Sequence, residues 1–373
     1  MAYTPTIRQA IGDVRRCLAD IGIARQSSVM REHGRHEPSP DAPLVLVACS
    51  GGRDSLALAS IATTVCGTLG VRCGAVIVDH GLVAGSSAVA DEAADRCRGF
   101  GMDPVIVRRV VVPSTGAGTE ADARSARYDA LIETAAERRA AAMLLAHTRD
   151  DQAETVLLGL LRTVGLDALA GMPRAIDRGG VLFVRPFLDL TRRQTTEICE
   201  TRGIEWWDDP TNGDAADEGG LSTDLPLRSR VRHALLPYLA HLTDTDLVEH
   251  LSRSAGFAQR DKAYIDEQAR SVYERVVRHA EDSSLDSASD SPTVAARIDA
   301  AALGGEHPAI RGRVIARALA HAGAGASSRH VDAVDALVVN WHGQGGVRLS
   351  SAYSACRQGH VILVCHDRVH ENR

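Results

Sequence analysis

The sequence predicts an α/β fold: a Rossmann-like parallel sheet with helices on both faces, followed by a mainly helical domain with a small β-containing tail. Two observations carry this. Short apolar runs alternate with amphipathic helical patterns through the first part of the chain, and one run, Leu44-Val45-Leu46-Val47-Ala48-Cys49, passes straight into the glycine turn Ser50-Gly51-Gly52-Arg53-Asp54-Ser55. Short strands separated by such helices imply a parallel sheet covered on both faces, with ligands at the carboxyl ends of its strands.

An amphipathic helix is expected from about Ile7 to Ile21, then a polar loop to Pro43. Strands are expected at Leu44 to Cys49, Ala75 to Asp79, Val105 to Val112, Met143 to Ala146 and Val181 to Val184. Between them, one helix begins at Leu56, a second opens with the capping-box pattern Thr119-Glu120-Ala121-Asp122 and runs to about Arg138, a third covers Asp150 to Leu161, and a fourth follows Thr191. A helix-like stretch from Arg228 to Ala240 closes this part, and alternation stops there. Leu242 to Arg278 reads as helix, Glu281 to Pro292 as a serine- and aspartate-rich linker, Thr293 to Ala322 as helix, Val331 to Asn340 as a short helix, and Gly343 to Val364 as two or three small strands. The expected domains are therefore 1–240, 241–325 and 326–373.

With 373 residues, 45% hydrophobic and 24% charged, the chain has the balance of an ordinary globular protein with a sizeable core. A net charge of -6 argues against indiscriminate binding to nucleic acid or membrane, though it says little about local patches. Arginine supplies nearly all the positive charge, Lys262 being the only lysine. No apolar run approaches membrane-spanning length and the start lacks a signal-peptide pattern, so a cytoplasmic protein without membrane partner is expected. The eight cysteines are scattered without a Cys-x-x-Cys pair and read as small buried thiols. His33 and His36 have no partner cluster and read as exposed loop.

The glycine turn reads as a phosphate cradle. Gly51 and Gly52 let the backbone approach an anion, and the helix that follows aims its unpaired N–H groups at it. No Gly-Lys-Ser/Thr follows, so the turn is not of the Walker type. A second motif, His147-Thr148-Arg149-Asp150-Asp151-Gln152-Ala153-Glu154-Thr155, falls where the fourth strand turns into a helix. At helical spacing His147, Asp151 and Glu154 share one face, where they would hold Mg²⁺ or a substrate ammonium. Asp150 and Asp151 also suit a helix N-terminus for purely structural reasons.

The Ser-Gly-Gly-x-Asp-Ser loop resembles that of the PP-loop ATP pyrophosphatase superfamily. With the aspartate-pair helix and several segments in the same order, the chain resembles the tRNA(Ile)-lysidine synthases. These segments are Asp79-His80-Gly81-Leu82, Ala126-Arg127-Tyr128, Leu169-Ala170-Gly171-Met172, Arg185-Pro186-Phe187-Leu188, Asp209-Pro210-Thr211-Asn212 and Arg230-Val231-Arg232-His233. The resemblance implies a two-step ligation: ATP adenylates the wobble cytidine of an isoleucine tRNA with a CAU anticodon, and the ε-amine of free L-lysine then displaces AMP. It further implies that Ser50, Gly51, Gly52, Arg53, Asp54 and Ser55 bind ATP, with Asp54 directed at Mg²⁺. Arg127 and His147 would face the α-phosphate, Asp151 and Glu154 would bind lysine, and a homodimer is compatible with the pattern.

Arg185, Arg192, Arg193, Arg228, Arg230 and Arg232 are candidates for tRNA phosphates, the cluster Arg228, Arg230, Arg232 standing out. Val83, Arg162-Thr163-Val164-Gly165 and Ser229 depart from the family pattern, and the stretch from Gly213 to Leu227 is lengthened. A PP-loop tRNA thiolase, an amidotransferase or synthetase of the superfamily and a non-catalytic nucleotide- or tRNA-binding module are the alternatives. The missing Cys-x-x-Cys weighs against the first, an N-terminus without an activated cysteine against the second, and the retention of Asp54, His147, Asp151 and Glu154 together against the third.

Overall fold

The first strand, β1 (Leu44–Ala48), organises the sheet because both of its faces are apolar. Val45 and Val47 enter one core, while Leu44 and Leu46 enter another, as the two-residue period of a strand requires. The computed structural model describes residues 3–27, 34–82, 85–116, 118–208, 225–279, 293–350 and 352–366. The chain forms two compact units, Met1–Gln259 and Arg260–Arg373. His33, Val83, the Asp209-Pro210-Thr211-Asn212 segment with residues 213–224, and the 281–292 linker lie outside the described residues.

In the first unit, β1 pairs in parallel with β2 (Arg72–Asp79) and β4 (Ala142–Leu144), so Val45 lies between Cys73 and Ala142. With β3 (Val105–Arg109), β5 (Ala175–Arg178) and β6 (Val181–Val184) the order is β3-β2-β1-β4-β6-β5. All neighbours are parallel except β5, which folds back antiparallel on β6 as an exposed edge and was not foreseen. The chain reverses its direction of travel between β1 and β4, which is where an open α/β sheet opens its crevice.

Helices α1 (Pro5–Asp20), α2 (Arg53–Leu69), α3 (Ser86–Gly99) and α7 (Arg192–Arg202) contribute to the Val45 core, and α4 (Thr119–Arg138) to the Leu46 core. Phe183 is fully buried beside Tyr128, their ring centroids 5.4 Å apart, and a side chain of that size contributes about 1.5–3 kcal/mol by burial. The expected capping box at Thr119 is absent. Gly118 is the N-cap without a side-chain hydrogen bond, and Asp122 instead accepts from the Thr115 N–H at 3.0 Å, closing the preceding loop.

Helices α5 (Arg149–Arg162) and α6 (Leu166–Ala170) follow β4. The Arg228 to Ala240 stretch is helical but irregular: a short α8 (Leu227–Arg230), a π-helical turn (Val231–Leu235) and α9 (Leu236–Thr243). Val231 and Leu236 pack with Ala153 and Leu158, seating this segment on α5.

Helix α10 (Leu247–Val276) contributes residues to each unit, and in it Lys262 is ion-paired with Asp266 at 2.6 Å. The second unit has an antiparallel sheet, β7-β8-β11-β10-β9, built from β7 (Val277–His279), β8 (Thr293–Asp299), β9 (Val347–Arg348), β10 (Tyr353–Gln358) and β11 (Val361–His366). Residues of α11 (Ala300–Gly304), α12 (Pro308–His321) and α13 (Ser328–Val339) share a core with it. Residues 293–299 were expected to be helical and form β8. Ala296 and Ile298 point into the core at two-residue spacing, and pairing with β11 overrides the helix preference of alanine.

Candidate active site

Four carboxyl ends of strands supply the site: β1 leads into the glycine loop, β2 into His80, β4 into His147 and β6 into Arg185. The loop is held by its own hydroxyls. Ser55 Oγ donates to the Gly52 carbonyl at 2.9 Å and accepts from the Ser50 N–H at 3.1 Å, while Ser50 Oγ lies 3.2 Å from it. The Trp207 N–H takes up the Gly51 carbonyl at 3.0 Å. Helix α2 begins at Arg53, earlier than expected, with Gly52 as an N-cap lacking a side-chain bond. Its first-turn N–H groups are thus open to an anion, and Asp54 stands in that turn.

Gly51 has φ +80°, and a Cβ there would lie 3.1 Å from Ala93 Cβ of α3. Gly51→Ala is expected to cost about 1–2 kcal/mol in urea unfolding and to weaken ATP binding measured by calorimetry. Wild-type ATP affinity in this variant would show that the loop conformation is irrelevant to the nucleotide.

Beside the loop, the N-terminus of α5 carries a reciprocal capping box. Asp151 Oδ2 accepts from the Thr148 N–H at 2.8 Å and its hydroxyl at 2.9 Å. One turn on, Glu154 has a fully buried side chain. Three guanidiniums meet these carboxylates and Asp54. Arg192 places Nη2 3.0 Å from Asp151 Oδ1, Nη1 3.5 Å from Glu154 Oε1 and Nε 3.6 Å from Asp54 Oδ2. Arg232 holds Glu154 with both Nε (2.7 Å) and Nη2 (3.3 Å), and Arg228 lies 3.7 Å from Glu154 and 4.0 Å from Asp151. Arg228 also donates to Thr155 Oγ1 at 2.9 Å. With Arg53 beside Asp54 at 3.4 Å, each of the three carboxylates has a guanidinium partner in a partly buried space, as burial of charge demands.

The charges set the titration. Burial would raise the Asp151 carboxyl, but Arg192, His147 and the Thr148 N–H overcome it and hold it at about 2. Asp54 is raised, by burial and by repulsion from Asp151, against the pull of Arg192 and the Thr195 hydroxyl that bonds its Oδ1.

Near this array stand two further guanidiniums and two imidazoles. Arg127 has no carboxylate partner among the described residues, and its guanidinium sits 5.9 Å from the Tyr128 ring centroid. Arg185 is buried, its Nη1 donating to the Pro173 carbonyl at 2.7 Å and its Nε lacking a partner. Among the described residues, His80 Nδ1 and His147 Nδ1 likewise are buried without a hydrogen-bond partner. Burial, then the neighbouring Arg185, Arg127 and Arg228, push the His147 imidazole down to about 3 despite Asp151. His147 is therefore neutral at physiological pH and can give or accept a hydrogen bond rather than a full charge. Its folded value lies below the ordinary 6.5, so the unfolded chain takes up a proton the fold refuses as pH falls below about 6.5. Stability is expected to decline from there toward pH 3, and His147→Gln should flatten that decline in urea titrations. Equal slopes for the two proteins would exclude a buried neutral His147.

The structure thus brings Asp54, Asp151 and Glu154 together, with His147, Arg127 and Arg185 close by. Arg228 and Arg232 face carboxylates, and Arg230 has a buried Nε without a partner. Arg53 keeps to its neighbour Asp54 at 3.4 Å. Arg192, read from sequence only as one of several surface arginines, stands at the centre. Its sequence signal is slight: a position just after the capping residue Thr191.

Asp54 suits a hard cation. Its Oδ2 is not hydrogen-bonded to Arg192 at 3.6 Å, and an oxygen donor of raised pKa repelled by Asp151 is stabilised by added positive charge. Among the described residues no three His, Cys, Asp or Glu side chains form a cage able to hold a metal alone. That fits Mg²⁺ bound by one or two carboxylates together with phosphate oxygens.

A glycine loop on an uncapped helix at the sheet's crevice, without a Walker lysine, defines a PP-loop nucleotide-binding protein. Residues 26–239 match the PP-loop domain family and residues 298–362 the TilS substrate binding domain. The chain is 51% identical to the tRNA(Ile)-lysidine synthase of Bifidobacterium longum (strain NCC 2705), covering all of both chains. It is 42% identical to that of Streptomyces coelicolor, over 87% of this chain and 86% of the other. The chain belongs to the tRNA(Ile)-lysidine synthase family. Among solved structures, the U34-tRNA thiolase NcsA from Methanococcus maripaludis superposes with a TM-score of 0.52 at 15% identity, covering 68% of this chain and 79% of that one, a likeness of fold alone.

Proposed function

We propose that this chain ligates free L-lysine to the 2-carbon of the wobble cytidine of an isoleucine tRNA carrying a CAU anticodon, forming lysidine. The cytidine O2 attacks the α-phosphorus of ATP, the bond to the β-phosphate breaks, and pyrophosphate leaves. The neutral ε-amine of lysine then attacks C2, the C2–O bond breaks, AMP leaves, and the amine proton passes to a carboxylate. The observation that carries this reading is the placement of two buried carboxylates, Asp151 and Glu154, beside the phosphate loop and joined to Asp54 through one guanidinium.

Ser50, Gly51, Gly52, Arg53 and Ser55 hold the phosphates, the α2 N-terminus facing the departing pyrophosphate. Asp54 would hold Mg²⁺, which would supply charge neutralisation at that leaving group. Arg127, with no acid partner among the described residues, and His147, as a neutral hydrogen-bonding group, face the α-phosphate. Asp151 and Glu154 form the lysine site. Their present partners Arg228 and Arg232 are also the tRNA-phosphate candidates with Arg185 and Arg230, so the two roles fit one exchange: tRNA phosphates draw the arginines and the ammonium takes their place.

The first unit carries the chemistry and the second binds tRNA, which its match to a substrate binding domain supports. In finer division, residues 1–240 are catalytic and 241–325 and 326–373 serve tRNA binding, in a monomer or a homodimer. No helix among the described residues is long and apolar enough to cross a membrane; a cytoplasmic location is part of this reading.

The test is pyrophosphate release with the tRNA, with and without lysine, followed by mass analysis of the nucleosides. Release should require tRNA, and a cytidine enlarged by lysine with loss of water should appear only with lysine. Release independent of tRNA, or no lysine-dependent nucleoside, would overturn the reading.

A further inference from the structure

Arg192 presents each of its three guanidinium nitrogens to a different carboxylate, Asp54, Asp151 and Glu154. Its backbone is fixed from several sides. The Arg192 N–H donates to Asp150 Oδ2 at 2.8 Å, Thr191 and Gln194 cap each other around it, and the Arg149 N–H binds the Leu190 carbonyl at 2.7 Å. One turn along α7, the buried Thr195 hydroxyl lies between Asp54 Oδ1 and the Arg192 carbonyl, 2.8 Å from the latter. Helix α7 therefore meets Asp54 at two points, the Arg192 guanidinium and the Thr195 hydroxyl.

The other arginines differ. Arg228 and Arg232 reach the carboxylates from the short α8 and the π-helical turn, a segment without the reciprocal cap that fixes α7. The carboxylates differ correspondingly. Asp151 takes its hydrogen bonds from Thr148 at Oδ2 and Arg192 at Oδ1, with Arg232 and Arg228 farther off at 3.7 and 4.0 Å, so α5 and α7 supply its short contacts. Glu154 takes its short contacts from Arg232, and Arg192 stays 3.5 Å away.

We propose that Arg192 is a positioning residue for both half-reactions: it sets the spacing between Asp54, which serves adenylation, and the Asp151–Glu154 pair, leaving Glu154 as the carboxylate that receives the amine. This rests on the function proposed above. Arg192 touches neither nucleotide nor lysine in this role; it acts through the carboxylates. A guanidinium suits the task because its planar fork addresses three acceptors at once, which an ammonium on a flexible stem does not.

The experiment compares wild type, Arg192→Gly, Arg192→Gln and Arg192→Lys in the full chain. Formation of adenylated tRNA without lysine reports the first step, and lysine turnover of preformed adenylated tRNA reports the second. Equilibrium dialysis gives Kd for ATP and for lysine with tRNA present, and thermal melting reports folding. In Arg192→Gly and Arg192→Gln both steps should slow by about 100-fold, the usual cost of losing about an ångström of alignment. Kd for each ligand should move by less than about fivefold, since uniform binding is not what is lost. Millimolar guanidinium should restore at least about tenfold of the Arg192→Gly rate, and Arg192→Lys should recover less than the rescued glycine variant.

Loss confined to one step, an unchanged rate in the folded variants, or a lowered melting temperature with no guanidinium rescue would each overturn the positioning role. If Arg192→Gly does not fold, Arg192→Gln carries the comparison of the two rates. Wild type that makes neither adenylated tRNA nor lysidine would instead refute the function itself, whatever Arg192 does.

Discussion

Asp54→Ala is expected to abolish pyrophosphate release while leaving the fold intact. Loss of a group that organises developing charge on a phosphoryl centre costs at least about 10²–10³-fold in rate. Stability should not follow. The Asp54 carboxyl is raised by burial and by Asp151, so its charged form opposes folding at neutral pH rather than supporting it. Removing it relieves that repulsion, and Arg192 keeps Asp151 at 3.0 Å and Glu154 at 3.5 Å. A folded Asp54→Ala protein with wild-type pyrophosphate release would refute the assignment, and an unchanged or slightly raised melting temperature would support the separation of function from stability.

Glu154→Gln separates the half-reactions. The substitution keeps size and leaves an acceptor for Arg232, but removes the charge that an incoming ammonium needs. A charge-assisted bond contributes about 1.5–3 kcal/mol, so lysine transfer should slow by roughly 10–150-fold while adenylation changes far less. Adenylated tRNA should accumulate and be trapped as radiolabelled AMP on the RNA. If adenylation falls in parallel and nothing accumulates, Glu154 belongs to the helix face or the metal environment instead. Because Glu154 is fully buried and held by Arg232 and Arg228, breaking this set also costs up to about 3–5 kcal/mol of stability. Melting must therefore be measured alongside, with rates taken well below the transition.

The sheet was legible where one strand's side chains are apolar on both faces. Leu44 to Ala48 could only be a buried parallel strand, and the glycine pair after it left little choice for the turn. Legibility failed where inward residues are small or few. Helix α3 buries only Ala90, Ala93, Ala94 and Cys97, a stripe too weak to stand out among its polar neighbours, and it was missed. Strand β5 buries nothing and exists through its hairpin with β6. Strand β8 carries two consecutive alanines, and its pairing with β11, far along the chain, and with β7 makes it extended.

In the site, the convergence of Asp54, His147, Asp151 and Glu154 was legible because local motifs place them at strand ends on one edge of the sheet. The place of Arg192 was not, since its contacts with the three carboxylates arise from α7 lying beside α2, a long-range fact no spacing encodes. The partners of Arg228 and Arg232 were hidden for the same reason: the sequence advertises three arginines at alternate positions, and only the fold turns two of them toward acids.

The single ion-paired lysine in α10 bears on the fate of the activated tRNA. In the proposed reaction the adenylated cytidine is an electrophile, open to any unprotonated primary amine that diffuses against it. The side chains of this protein offer one such nucleophile, Lys262, tethered to Asp266 at 2.6 Å. All other strong side-chain cations are guanidiniums, whose delocalised charge makes them inert toward such a carbon. If the proposed Arg185, Arg228, Arg230 and Arg232 make the RNA contacts, they would grip a polyanion without placing an amine beside the activated cytidine, so self-adduct formation, a covalent protein–tRNA cross-link, would have few places to begin.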